Sequence, residues 1–340
     1  MNDNIKNILI YNPGGGMGDT ISIVPIIQWL KKKYHLNHIY YIQSGPNKYF
    51  NNSCKDIFGN FVRTVDNIPD HFGFFSFFQP KSFSHIKIAR NLSKDLGVDK
   101  FDIIIDMGTR VKNTLVVKQI PHKFFISPAM YFALSNPKKI ITKPKHVIER
   151  IFCYFESVLK TKIEIPLEYE NIPKKYTDEA KQILKENNKY LGFSITAGHP
   201  TRQKEFSVDE IIKVANHFSE KNYVPVFFIE DKYKDLIENL KKNVKNVIFP
   251  EHLADQQLRN PLLLIALAQH MQATITIDNG IMHMLSLSST KIISFFSSKG
   301  FYEKFKPLNN VKSKNYYMKN NKSIAELKAE EIINFSEEFI

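Results

Sequence analysis

The stretch Tyr11–Pro25, YNPGGGMGDTISIVP, sets four glycines between an apolar run and a helical pattern, and an aspartate follows the last of them directly. A glycine-rich turn between strand and helix commonly cradles a phosphate on free backbone amides. A carboxylate at the helix start would repel that phosphate. The dinucleotide fingerprint G-x-G-x-x-G, begun at Gly14, needs a third glycine where Asp19 stands, and no acidic residue closes the second strand to hold a ribose. The P-loop also fails, because no Gly-Lys-Ser/Thr follows the turn. What remains is a backbone open to close approach beside one carboxylate, at the strand edge where open α/β sheets bind ligands. Asp19 therefore reads either as a catalytic base, with the glycines leaving room for its substrate, or as a helix cap. The motif by itself leaves both open.

Outward from this turn, NILIYN (Asn7–Asn12) predicts the preceding strand, and the segment after Gly18 predicts a helix kinked at Pro25. HIYYIQ (His38–Gln43) and FDIIID (Phe101–Asp106) predict two further strands. Such near-continuous apolar runs mark strands covered on both faces, as in a parallel sheet. The alternation restarts with YLGFSITA (Tyr190–Ala197), a helix near Val208–Glu220, YVPVFFI and a helix from Asp231. It continues through VIFP, a helix from Pro261, ATITID (Ala273–Asp278), a helix after Gly280 and KIISFF (Lys291–Phe296). Between the halves, Pro and charge without periodicity place a linker around Ile163–Lys175. The expected fold class is α/β, with two doubly wound, Rossmann-like parallel-sheet domains facing across a cleft. The expected boundaries are 1–168 and 169–340, the last helix being able to pack back on the N-terminal domain.

At 340 residues the chain has the length of about two domains. With 43% hydrophobic and 13% aromatic residues it can bury sizeable cores, which argues against disorder. Two cysteines, Cys54 and Cys153, are too few for a disulfide framework or a Cys-based zinc site. The first residues, MNDNIKNILIYN, hold too short an apolar run for a signal peptide, so a cytoplasmic protein is expected. PLLLIALAQHMQATITI is interrupted by Gln269, His270 and Gln272 and predicts a helix running into a buried strand, not a membrane span. The net charge of +13 invites a nucleic-acid reading, yet only six of the 47 basic residues are arginines and no nucleic-acid module is visible. No nucleic-acid partner is expected. A solvated, Lys-rich surface reflecting general composition fits the same charge, as does attraction to anionic lipid or a phosphorylated acceptor, and charge alone leaves both open.

The second half holds the other candidates. ITIDNGIMHMLSLSSTKIISFF puts Asp278, Asn279 and Gly280 at the end of a buried strand, with Met282 and His283 in the next helical turn. Upstream, SITAGHPTRQKEFS ends another strand in a polar loop carrying Thr201, Arg202 and Lys204. Helix-start amides and cations here suit a diphosphate, whereas a buried or capping histidine is the plain alternative for His283. No Asp-x-Asp pair is present to carry a divalent metal, so none is assigned and leaving-group charge falls to Lys204, helix starts and His283.

Five segments in order, GMGDTISIVPIIQWL, FDIIIDMGTRVKNTLV, HVIERIFCYFESVL, ITAGHPTRQKEFS and IDNGIMHMLSLSSTKIISFF, resemble glycosyltransferase family 9, typified by bacterial lipopolysaccharide heptosyltransferases. The resemblance implies a GT-B fold and metal-free, inverting sugar transfer from a nucleotide-sugar donor, with ADP-linked heptose its best-known cargo. The donor would be a substrate, with no separate cofactor. By position Asp19 matches the family's general base, Lys204 its phosphate-contacting lysine, and Asp278, Gly280 and His283 its D-T-G-x-x-H motif. Thr201, Asn279 and Met282 fall with that donor group, and Gly16, Gly18, Arg110 and Lys112 on the acceptor side. Three departures stand out: Asn279 for threonine, KEFS for Lys-Arg-Trp-Pro, and FFSSKG for Phe-Gly-Pro-Thr. A non-catalytic sugar-nucleotide or glycan-binding module and a sugar-nucleotide epimerase are the alternatives. Finally, DHFGFFSFFQPKSFSHIKIAR (Asp70–Arg90) crowds phenylalanines ahead of Lys81, Lys87 and Arg90. It reads either as core or as a loop docking on a membrane face or a glycolipid acceptor.

Overall fold

Apolar runs too short for helices and covered on both sides become strands, and ten of them pair in the computed structural model of the chain. The structure describes residues 5–45, 49–66, 68–69, 72, 79–197, 204–308, 311–320 and 322–340. Contacts divide it into two units, Met1–Pro166 and Leu167–Ile340.

The first unit runs β1 (Ile8–Asn12), α1 (Met17–Ser22), α2 (Val24–Tyr34), β2 (Ile39–Gln43), α3 (Lys55–Phe58), β3 (Val62–Thr64), α4 (Pro80–Asp95), β4 (Phe101–Asp106), α5 (Val111–Val117), β5 (His122–Ile126) and α6 (Glu149–Leu159). Its sheet has the order β3-β2-β1-β4-β5, and every pairing is parallel. Strands β1 and β4 are buried at every position, as their apolar runs require. The order reverses between β1 and β4, so the connections leaving their C-terminal ends flank the sheet's switch point, where such sheets bind ligands.

The helix expected after Gly18 breaks at Ile23 into α1 and α2. Pro25 sits in the first turn of α2, where a missing N–H leaves nothing unpaired. It starts a helix, where a kink was expected. Pro80 does the same for α4. Of the aromatic segment, Phe72 is wholly buried and meets Tyr11 edge-on at 5.8 Å, whereas Phe83 on α4 is 55% exposed. Phe74, Phe75, Phe77 and Phe78 lie outside the described residues.

The second unit runs α7 (Lys174–Ile183), β6 (Lys189–Ser194), α8 (Val208–Glu220), β7 (Tyr223–Phe227), α9 (Lys234–Asn243), α10 (Pro250–Leu253), α11 (Pro261–Ala268), β8 (Met271–Ile277), α12 (Gly280–Leu285), β9 (Lys291–Phe296), α13 (Lys299–Phe305), β10 (Ser313–Tyr317) and α14 (Ala329–Glu337). Its parallel sheet has the order β10-β9-β8-β6-β7, with the switch point between β6 and β8. The window expected as helix into strand is α11 followed by β8, and α11 is buried at all eight positions. No helix among the described residues is long and apolar enough to cross a membrane. The last helix, which by the sequence could pack back on the N-terminal domain, contributes to the core of its own unit. Ile332 and Ala329 are buried there, and the Ala329 N–H donates to Glu210 of α8.

Gly192 shows how tightly the central strands pack. A Cβ at this position would lie 2.0 Å from Thr274 Cγ2 on β8 and 2.7 Å from Met271 Sδ. Thr274 is branched and fully buried, so relief requires moving a strand. Gly192→Ala is expected to lower stability by about 1–3 kcal/mol in urea denaturation. An unshifted midpoint would contradict this packing.

Candidate functional site

At the switch point of the first sheet, the chain leaves β1 into the glycine turn. Asn12 organises it: its Oδ1 accepts the Gly14 N–H at 3.1 Å, and its Nδ2 donates to the Asp19 carbonyl at 3.0 Å. Asp19 occupies the first turn of α1, and its Oδ2 accepts the Gly16 N–H at 3.1 Å. The capping role is therefore present. It engages one carboxylate oxygen, and the other accepts no hydrogen bond among the described residues, on a side chain that is exposed. Cap and base are compatible. A Cβ on Gly14 would stand 2.4 Å from Asp19 Cβ, so that glycine makes room for Asp19 itself. A Cβ on Gly15 would meet only the Ser44 carbonyl, at 3.9 Å. Gly16 and Gly18 are half-buried in the same turn. Arg110 and Lys112 are exposed at the start of α5, on the connection leaving β4.

In the second unit, the connection after β6 and the end of β8 meet at the other switch point. Lys204 and Asp278 are both buried, and Lys204 Nζ lies 2.5 Å from Asp278 Oδ2. The ammonium also sits 4.3 Å from the centre of the Phe301 ring. Asn279 caps α12: its Oδ1 accepts the Met282 N–H at 2.8 Å, while its Nδ2 donates to Ser194 Oγ at 2.8 Å and to the Thr196 carbonyl at 3.0 Å. A threonine hydroxyl can cap, but it cannot also donate two bonds to the end of β6. Asparagine therefore ties α12 to β6. Gly280 opens α12, His283 is half-buried on it, and Met282 is fully buried. Thr201 lies outside the described residues. The structure thus unites Lys204, Asp278 and Asn279 at one sheet edge. A buried ammonium paired to one carboxylate still has further N–H donors to offer an anion.

A profile of glycosyltransferase family 9 (heptosyltransferase) matches residues 89–333. The chain belongs to glycosyltransferase family 9. Among solved structures, a family 9 glycosyl transferase from Veillonella parvula is similar over 98% of this chain and 97% of its own, at 17% identity and a TM-score of 0.69. The E. coli heptosyltransferase WaaC with ADP covers 98% of this chain and 100% of its own, at 14% identity and 0.64. A UDP-GlcNAc 2-epimerase from Methanocaldococcus jannaschii covers 98% and 92%, at 12% identity and a lower 0.52. At such identities the likeness concerns the fold, a GT-B-like pair of Rossmann-like units. No curated protein matches the chain in sequence. Family membership makes the chain a glycosyltransferase. The matched span includes the Lys204 and Asp278 edge, whereas the glycine turn and Asp19 precede it.

One carboxylate of this family 9 enzyme escaped the sequence reading. Asp106 closes β4, is fully buried, and accepts hydrogen bonds from the Gly108 N–H at 2.7 Å, Thr114 Oγ1 at 2.6 Å and Ser127 Oγ at 2.9 Å. It braces the connection that carries Arg110. An aspartate ending an otherwise apolar, doubly buried strand was the available signal, because such a group must find partners. Burial outweighs those hydrogen bonds and pushes the Asp106 carboxyl from 3.8 to about 6. A carboxyl raised on folding stabilises fully below its unfolded value and loses that contribution as pH rises through the folded one. Over about two units this amounts to about 3 kcal/mol. Asp106→Asn, which mimics the protonated form, should match wild type near pH 4 and exceed it in urea denaturation above pH 7. A gap that does not change with pH would refute the assignment.

Proposed function

We propose that the chain transfers a sugar, with inversion and without a metal ion, from a nucleoside-diphosphate donor to a hydroxyl of a glycan or glycolipid acceptor. ADP-heptose is the first donor to test. The observation carrying this reading is that Asp19 and the Lys204–Asp278 pair each occupy the switch point of their own sheet. Membership of the family supports it, as do structures of WaaC with ADP and with ADP-2-deoxy-2-fluoro heptose. In this reading Asp19 takes the acceptor hydroxyl's proton while that oxygen bonds to the anomeric carbon. The bond from that carbon to the diphosphate breaks on the opposite face, and Lys204 meets the charge released. A carboxylate is a weak base, so holding the hydroxyl in line matters more than basicity.

A lipid-linked acceptor, such as a lipopolysaccharide core, places the enzyme in the cytoplasm at the inner membrane face. The test is a thermal-shift panel of sugar nucleotides, since a ligand bound to the folded state raises its stability. A transfer assay with the best binder and sugar-acceptor candidates follows. Binding without turnover would favour a non-catalytic module, and release of free nucleotide without transfer an epimerase.

A further inference from the structure

Phe301 directly follows FFSSKG (Phe295–Gly300), the segment that departs from the family's Phe-Gly-Pro-Thr, and the proposed chemistry gives it no task. It is 41% exposed on α13, an unusual setting for a phenylalanine. The Ser298 hydroxyl caps α13 by accepting the Phe301 N–H, and the ring stacks on Phe305 at 6.2 Å, which fixes its direction. Its face lies 4.3 Å from Lys204 Nζ, whose side chain is only 11% exposed. The ammonium therefore has a carboxylate and an aromatic face as neighbours, each from a different connection of the second sheet. A ring face attracts a cation, and it also displaces water that would otherwise hydrate the charge and weaken its field.

We infer that Phe301 is a positioning residue for Lys204, holding the ammonium dehydrated and aimed so that a nucleoside diphosphate binds there. The inference rests on the donor reading proposed above. Asp278 neutralises the lysine's charge, so affinity for a diphosphate depends on where the remaining N–H donors point. The ring controls that direction. An aliphatic side chain of similar bulk covers the lysine without attracting it, which separates the ring's electrostatic role from mere packing.

The experiment is calorimetric titration of ADP and UDP into wild type, Phe301→Leu, Phe301→Ala, Phe301→Tyr and Lys204→Ala, with melting temperatures alongside. The expected result is about tenfold weaker binding of the preferred nucleotide in the Leu and Ala variants, the scale of a partly desolvated cation–π contact. The Tyr variant should bind within about twofold of wild type, since its ring face attracts cations comparably. Phe301 lies at the surface, so the melting temperatures of its three variants should stay close to that of wild type. Wild-type affinity in Phe301→Leu, or a loss in Phe301→Tyr equal to that in Phe301→Ala, overturns the inference while leaving the donor site in place. If Lys204→Ala binds as wild type does, or wild type binds neither nucleotide, the donor reading itself fails and the inference falls with it.

Discussion

Asp19→Asn is expected to lower the rate of sugar transfer at least about 10²-fold, the usual scale for a general base, with fold and donor affinity near wild type. The exchange is nearly isosteric. The hydrogen bond from the Gly16 N–H needs only an acceptor oxygen, and an asparagine carbonyl supplies one, so the cap survives while the basic oxygen does not. Asp19 is exposed and lies outside the packed core, which removes the usual route to global destabilisation. A companion variant reaches the same carboxylate through the backbone. Gly14→Ala would set a Cβ 2.4 Å from Asp19 Cβ and 2.5 Å from its Cγ, forcing the carboxylate aside. Asp19→Asn should therefore lose turnover at an unchanged melting temperature, whereas Gly14→Ala should lose turnover together with some stability, because Asp19 Cβ is fixed to the backbone of α1 and cannot swing away. Near wild-type turnover in Asp19→Asn would reduce the residue to a helix cap.

Lys204→Ala should have two separable effects. Removing the ammonium strands the Asp278 carboxylate, 8% exposed, without its ion-pair partner, and breaking a buried pair this way costs about 3–5 kcal/mol of stability. It also removes a charge-assisted contact to a donor phosphate, worth roughly 1.5–3 kcal/mol, or at least about tenfold in affinity for the nucleoside diphosphate. Adding Asp278→Asn separates the two. The double variant should recover most of the lost melting temperature, because no unpaired charge remains, while nucleotide affinity stays low. Recovery of affinity together with stability would mean that Lys204 only supports the fold. Unchanged stability in the single variant would mean that Asp278 finds another partner or takes up a proton.

Much of the fold was legible because parallel strands covered on both faces must be apolar throughout. ILIYN, FDIIID and KIISFF announce themselves for that reason. The glycine turn was legible too, but not the reason for its first glycine: Gly14 makes room for Asp19 itself, where the sequence suggested room for a substrate. Three of the four edge strands were not legible. VRT of β3, HKFFI of β5 and SKNYY of β10 are partly exposed and form through pairing with an inner neighbour, so their local pattern carries little signal.

The candidate site divides the same way. The sequence by itself determined which residues could carry the chemistry: one carboxylate after a glycine turn, a lysine after β6 and an Asp-Asn-Gly after β8. Only the tertiary structure decided their partners. Lys204 and Asp278 are 74 residues apart and meet because β6 and β8 are neighbours in the sheet. Thr114 and Ser127 reach Asp106 because β4 and β5 pair, and Phe301 reaches Lys204 because α13 follows β9 at the same edge. Strand order is set by the balance of burial over the whole sheet, and no local run of residues encodes it.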